Sequence, residues 1–378
     1  MAILSEEQAI LKDQASNWVR DEASVDKFRE MRDAGEGCGF QQETWQSICD
    51  LGWAGMLIPE EYGGSGMDFF TFGIVLEELG RGLTASPLVA TGLVGASALL
   101  LGGTEEQKRE WLPRIASGSV ITTLAVDELA HHQPDGIVLQ AVRKGDTYIL
   151  DGTKRFVQEG GAADLLIVAA RTSGESGDKE GVALFLVDGS ANGVTRQSLS
   201  MVDHRGHADI IFAGVEVSAD QILGEVDNGM DLLEAVLDRG RAGVSAEMLG
   251  SGAEAFDRTL DYLKTREQFG QVIGSFQALG HRAATHFMAM EFARSSVEAV
   301  LAAIDTADVD LPKLCSLAKC QVGDFLYDMT NDMIQIHGGI GMTDEFDAGF
   351  FLKRARVCEA TFGNRSFHLD RYIGFDGI

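Results

Sequence analysis

The sequence predicts an α+β protein of several domains: an N-terminal helical domain, a middle antiparallel β domain and a C-terminal four-helix bundle. Three observations predict it. Apolar residues recur at spacings of three, four, seven or eight before Gly118 and again beyond Gly229, the period of helices burying a face. Between those limits the period drops to two, and short apolar runs are separated by Gly, Asp and Asn turns. With 378 residues, 45% of them hydrophobic and 8% aromatic, the chain is long enough for two or three domains with ample cores. The boundaries fall at residues 1–118, 119–229 and 230–378.

In the first domain Ser5-Glu6-Glu7-Gln8 is a capping box, and Leu11, Ala15, Trp18 and Val19 follow on one helical face. Trp45, Ile48 and Leu51 mark another helix ending at Gly52, and the run from Trp53 to Gly64 is a glycine-rich turn. Helices are predicted from Phe72 to Gly80 and from Leu88 to Leu101. Thr104-Glu105-Glu106-Gln107 caps one more, with Trp111 and Leu112 on its buried side.

Strands of the middle domain are Thr147 to Leu150, Leu165 to Ala170, Val182 to Val187 and Ile210 to Val215, with Asp151-Gly152 and Asp188-Gly189 as breaks. The polar loop from Gly174 to Gly181 is the best candidate for mobility. Beyond it Leu233, Val236, Leu237, Val244, Met248, Phe256, Leu260 and Leu263 form the stripe of one long helix. It should end near Arg266, where Phe269-Gly270 and Ile273-Gly274 interrupt the pattern, and a second should begin around Gln277. Leu311-Pro312 opens a third, with Val322, Phe325, Leu326, Met329 and Met333 inward, and a fourth follows Gly341. The chain has no internal repeat.

Composition excludes several classes. Lys plus Arg number 31 against 58 Asp plus Glu, a net charge of −27, which repels nucleic acid and anionic membrane alike. The same field repels an anionic CoA ester, so a groove for one needs local cations. Cys38, Cys49, Cys315, Cys320 and Cys358 are scattered and form no CxxC pair, which points to a reducing cytoplasm and no metal cluster. His204 and His207 have no further ligands beside them and read as structural. No signal peptide opens the chain, and no apolar run reaches membrane length.

Two motifs carry a family resemblance. Thr265-Arg266-Glu267-Gln268-Phe269-Gly270, then Ile273-Gly274 and Phe276-Gln277, resembles the first signature of the acyl-CoA dehydrogenases. Gln335-Ile336-His337-Gly338-Gly339-Ile340-Gly341 resembles the second. The turn at Trp53–Gly64 and the order helical domain, β domain, helical bundle are also similar to that family, over essentially the whole chain. The resemblance implies that these two segments grip the FAD diphosphate and adenosine of a neighbouring subunit. It assigns cofactor binding to Arg266, Phe269, Gln277, Gln335, Gly338 and Gly339. A guanidinium offers planar bidentate pairing to phosphate, and glycine amides approach anions closely.

The family reaction removes two hydrogens from an acyl thioester: a carboxylate takes the α-proton, and the β-hydrogen leaves as hydride to flavin N5. The resemblance places that carboxylate at the position of Phe362, or, as in isovaleryl-CoA dehydrogenase, at that of Gly240 beside Arg241. Neither residue accepts a proton, so no catalytic residue is assigned. Glu359 and Glu247 are the acids near enough in sequence to consider as substitutes. The flavin-facing segment of the family, Thr-Glu-Pro-Gly-Ala-Gly-Ser-Asp, corresponds to Val126-Asp127-Glu128-Leu129-Ala130-His131-His132-Gln133, with Leu129 and His131 in place of glycines. Its Trp-Ile-Thr corresponds to Phe156-Val157-Gln158.

The flavin and substrate face is therefore altered, while the segments that serve a neighbour's FAD are retained. The expectation is a companion subunit of a heteromeric acyl-CoA dehydrogenase, an α2β2 assembly with a homologous catalytic subunit and an FAD shared with it. Its substrate would be an acyl-CoA, by analogy a steroid side chain, and its acceptor electron-transfer flavoprotein or a similar protein. The rivals are a self-sufficient homotetrameric dehydrogenase with Glu359 as a displaced base, and a flavin-free assembly or binding module.

Overall fold

The computed structural model describes residues 3–35, 37–375 and 377. Helix α1 (Glu6–Glu22) starts where its capping box predicts. The Ser5 hydroxyl accepts from Gln8 N at 3.1 Å, and the Gln8 side chain accepts from Ser5 N at 3.1 Å. Helix α2 (Val25–Ala34) follows, burying Val25, Phe28 and Met31 at a spacing of three along one face. Helix α3 (Gln42–Asp50) gives way to Gly52, whose φ of 76° suits a residue without Cβ. Helix α4 spans Phe69–Arg81. The helix predicted from Leu88 to Leu101 is divided: Val89–Gly95 winds as a π-helix, and α5 (Ala96–Gly102) continues it. In the π segment the Thr91 hydroxyl donates to Thr122 O and accepts from Thr122 N, at 3.2 and 3.1 Å. Thr104 caps α6 (Glu105–Ala116), in which Leu112 is fully buried and Trp111 half-buried.

The sheet is built from β1 (Thr122–Ala125), β2 (Gln140–Lys144), β3 (Thr147–Gln158), β4 (Leu165–Arg171), β5 (Val182–Asp188), β6 (Val194–Ser198), β7 (His207–Ser218) and β8 (Ile222–Leu223). Their order is β6-β7-β3-β2-β4-β5-β8, with β1 beside β4. Pairing is antiparallel except for β1 on β4, Thr122 opposite Leu165, and one parallel bridge from Gln140 to Arg171. The predicted break at Asp151-Gly152 instead lies within β3, opposite a bulge whose extra residue is Gly214 of β7, with φ of 66°; the Asp151 carboxylate accepts from Gly214 N at 2.8 Å across the pair. A side chain that hydrogen-bonds its neighbour strand lets the pairing continue where composition alone reads as a break. The carbonyls of Asp178 and Glu180 in the predicted polar loop, and of Ser173 just before it, all accept from the Arg171 guanidinium.

Helix α7 runs from Gly229 to Thr265, ending where the sequence predicts. Residues 240–253 are buried on nearly every side rather than along one stripe. The reason lies in two close approaches. A Cβ on Gly80 would lie 2.1 Å from Glu247 O, and one on Gly250 would lie 1.7 Å from Glu77 O, so glycine is what lets α4 and α7 touch backbone to backbone. The hairpin β9 (Glu267–Gln268) and β10 (Gln271–Val272) leads to α8 (Gln277–Asp305). Helix α9 (Leu311–His337) carries Val322, Phe325, Leu326, Met329 and Met333 inward, as predicted. The fourth helix, α10 (Ala348–Ala360), is only 13 residues long, and an unpredicted α11 (Arg365–Phe375) packs with it on α9.

Compactness divides the chain into two units, each discontinuous in sequence. One comprises residues 31–68 and 85–240 and holds α3, α5, α6 and the eight-stranded sheet. The other comprises residues 1–30, 69–84 and 241–378 and holds α1, α4, α8 to α11 and the small hairpin.

Candidate functional site

The first motif folds into the hairpin that follows α7. Phe269 and Gly270 form its turn with φ of 57° and 79°, the left-handed pair that suits the twist of a two-residue hairpin. A left-handed backbone is costly for phenylalanine, yet the residue is 90% exposed, with the Phe276 ring edge-on at 6.1 Å. Arg266 is fixed through its backbone: its N–H donates to Tyr262 O at 2.9 Å and its carbonyl accepts from Ile273 N at 2.8 Å. Its side chain is exposed and pairs with no acid among the described residues. Gln277 is exposed as the first residue of α8.

The second motif closes α9. Gln335, Gly338 and Gly339 are exposed, Gly338 has a φ of 63°, and a Cβ on either glycine would meet nothing within 4 Å. Between the two motifs His337 is buried and sandwiched, with the Tyr262 ring at 4.2 Å and the Phe346 ring at 4.4 Å. Tyr262 lies one turn before Arg266, and His337 directly precedes Gly338. That stack brings two segments distant in sequence to one surface. An exposed guanidinium and an unobstructed glycine backbone are donors of the kind that fit a nucleotide diphosphate.

The positions where the family places a base are occupied differently. Phe362 is half-buried with φ of 56°, and its carbonyl accepts from Arg241 Nε at 3.2 Å. Arg241 is fully buried, with its guanidinium 5.4 Å from the Phe367 ring. Lys319, also buried, donates to Cys358 O at 2.7 Å and Thr361 O at 2.9 Å; burial pushes its ammonium down to about 8. Two buried cations therefore hold the carbonyls of the turn between α10 and α11. Glu247 is not a free acid: Arg354 Nε and Nη2 donate to its two oxygens at 3.0 Å each, with both residues 4% exposed. Glu359 lies 3.8 Å from Arg356 and borders a cavity of about 270 Å³ with Asp324, Asp328, Tyr327 and Arg365. That lining brings two further carboxylates, Asp324 and Asp328, to the same cavity as Glu359.

In the other unit, the segment from Val126 to Gln133 is closed on itself. The Asp127 carboxylate meets His132 Nδ1 at 2.9 Å and accepts from Gln133 N at 3.1 Å. Glu128 accepts from Val138 N, Leu139 N and Lys154 Nζ, the last at 2.6 Å. Lys154 is fully buried, which lowers its ammonium from the usual range even though Glu128 pulls the other way, and it also donates to Val126 O at 2.9 Å. Leu129 and Phe156 stand 45% and 40% exposed. Phe156 has φ of 51° and its N–H donates to Asp209 at 3.0 Å, within a second bulge of β3. The Gln158 carbonyl accepts from Thr123 Oγ1 at 2.6 Å, while its own Oε1 is buried without a hydrogen bond. A leucine, a histidine and a locked carboxylate where a flavin needs bare backbone do not fit that group on this face.

Sequence reasoning missed Lys319, the Glu247–Arg354 pair, the Lys154–Glu128 pair and the Tyr262–His337–Phe346 stack. The stack alone had a signal, since Tyr262 lies just before the first motif and His337 lies within the second. Among the described residues no group of three or more His, Cys, Asp or Glu could hold a metal, and no helix is long and apolar enough to cross a membrane. All five cysteines are free thiols.

Three family profiles match: acyl-CoA dehydrogenase N-terminal domain over residues 5–119, middle domain over 135–215 and C-terminal domain over 227–372. The chain is 31% identical over 364 residues to the probable acyl-CoA dehydrogenase YngJ of Bacillus subtilis (strain 168), covering 94% of each. It is 30% identical over 362 residues to the caffeyl-CoA reductase–Etf complex subunit CarC of Acetobacterium woodii, covering 93% of each. Among solved structures it is similar to the Tcur3481-Tcur3483 steroid ACAD, with a TM-score of 0.89, 27% identity and 98% of each chain covered.

Proposed function

The chain belongs to the acyl-CoA dehydrogenase family, a family of FAD-dependent oxidoreductases, and on that premise we propose that it is a companion subunit completing the FAD site of a catalytic partner. One observation carries the reading. The donor surface of Arg266, Phe269, Gln277, Gln335, Gly338 and Gly339 is exposed and intact, while the chain's own flavin-facing loop is filled and locked. In this role Arg266 pairs with the cofactor diphosphate, the Gly338–Gly339 backbone receives it, and Phe269 covers the nucleotide from the hairpin tip. FAD held in the partner's site supplies the hydride acceptor; this chain orients and retains it. Phe362 and the Arg354-bound Glu247 leave proton abstraction to the partner. The likeness to a steroid ACAD supports a steroid acyl-CoA as substrate, and that to an Etf-complex subunit supports an electron-transferring flavoprotein as acceptor.

The test is the visible spectrum of the chain purified alone and again after co-expression with a homologous subunit. Alone it should carry little or no FAD and turn over no acyl-CoA; with its partner it should be yellow. In that complex Arg266→Ala should leave assembly intact and weaken FAD binding about 30- to 150-fold, the worth of roughly 2–3 kcal/mol in a charge-assisted pair. A lone chain with full flavin and turnover would overturn the reading in favour of a self-sufficient dehydrogenase using Glu359. Unchanged FAD retention in Arg266→Ala would remove Arg266 from the cofactor site.

A further inference from the structure

We infer that His337, stacked between Tyr262 and Phe346, is a positioning residue that sets the spacing of Arg266 from the Gly338–Gly339 turn and thereby how tightly FAD is held. The inference rests on the cofactor-donating role proposed above. The two halves of the donor surface leave different helices, and among the described residues no hydrogen bond joins Arg266 to Gly338 or Gly339. What joins them at that level is the stack: 4.2 Å and 29° to the tyrosine, 4.4 Å and 31° to the phenylalanine. Both rings lie nearly parallel to the imidazole, so a shift of α7 against α9 must slide or separate them. One turn further from the motifs, Arg258 on α7 meets Asp347 at 2.8 Å, and Arg29 meets the same carboxylate at 2.7 Å. Those ion pairs hold the elements together independently, which leaves the stack to set the fine spacing rather than the fold.

The imidazole is also fixed in one state. Its Nδ1 lies 2.7 Å from Met333 O, so that nitrogen carries the hydrogen and donates to the carbonyl. Nε2 is then a bare acceptor, and it is buried without a hydrogen-bond partner. Of the elements packed on the ring, α7 offers the Tyr262 face and the segment before α10 offers Phe346, while the nearby charges of Arg258 and Asp347 are spent on each other. Protonation would add a buried N–H with no acceptor, and burial accordingly holds this histidine below its usual range. The sign follows. A histidine kept neutral in the closed stack favours that state at neutral pH, and the preference is lost as pH falls below about 6.5, where the released ring protonates.

The experiment uses the flavin-loaded assembly that this chain forms and follows FAD release by the rise of flavin fluorescence after dilution, across a pH series. At neutral pH His337→Leu should release FAD about three- to tenfold faster, the worth of a lost aromatic contact. His337→Phe, which keeps a flat ring but cannot titrate, should hold FAD as the parent does. On acidification the parent should release FAD faster while His337→Phe stays level. If His337→Leu does not fold, Phe346→Leu, which retains the imidazole, reads the same contact and should also release faster. Parent-like retention in both leucine variants, or an identical pH profile for the parent and His337→Phe, would overturn the inference. Arg266→Ala run alongside separates the two claims: unchanged retention in that variant strikes the cofactor-donating role itself, whereas loss there with parent-like His337→Leu strikes only the positioning role.

Discussion

Replacing Glu247 with alanine discriminates between an acid available for chemistry and one consumed by packing. Glu247 and Arg354 are both 4% exposed, and each carboxylate oxygen receives its own guanidinium N–H at 3.0 Å. Removing the carboxylate takes from a buried guanidinium the two charge-assisted bonds that Glu247 accepts. Breaking a buried pair from one side costs about 3–5 kcal/mol, or roughly two to three and a half orders of magnitude in the folded-to-unfolded ratio. Relaxation offers little relief, because the Glu247 backbone lies against Gly80 with no room for movement. Replacing both partners, Glu247→Leu with Arg354→Leu, removes both charges and should recover most of the loss. The assay is urea unfolding followed by tryptophan fluorescence and far-UV dichroism on the single variants and the double. A Glu247→Ala chain within about 0.5 kcal/mol of the parent, or a double variant no better than the singles, would refute the pairing and return Glu247 to the list of candidate bases.

Other outcomes are equally specific. Phe362→Glu without a partner should gain neither flavin nor dehydrogenase activity, because the locked loop of Asp127, Glu128 and Lys154 remains; measurable turnover would show that this face accepts flavin after all. Lys319→Met should remove the hydrogen bonds to the Cys358 and Thr361 carbonyls and destabilise the chain by about 1–3 kcal/mol. It should also remove a pH dependence. With its amine near 8 when folded and 10.5 as the ordinary value, the folded chain gives up between those limits a proton that the unfolded chain keeps, so this contribution to stability climbs with pH across that window. Denaturation midpoints at pH 8 and above, compared between parent and variant, check the sign. Lys154→Met should quicken amide exchange from Val126 to Leu139 by more than about tenfold, since it removes the ammonium paired with the Glu128 carboxylate, and mass spectrometry reads this directly.

The chain's architecture was largely legible as periodicity. Helix α7 ends, and α8 and α9 begin, where the apolar pattern and Pro312 place them, and two capping boxes mark α1 and α6. Where the reading differed, the cause was an interaction rather than a propensity: Asp151 bonds Gly214 across the sheet, so the strand runs on through a turn-like Asp-Gly opposite a bulge in β7. Strand β1 pairs parallel with β4, a partner too far along the chain for local pattern to reveal.

The sequence by itself determined the family motifs, the absence of a carboxylate at Phe362 and Gly240, and the side chains that replace glycine at Leu129 and His131. These are matters of residue identity at a position, which spacing along the chain records. Only the tertiary structure decided that Glu247 is bound to Arg354, that Lys154 locks Glu128, and that His337 joins the two motif segments. Each of those depends on which buried charge or ring lies opposite another across distant elements. In a low-dielectric interior that neighbour, more than the residue's own chemistry, sets whether a group is free to act.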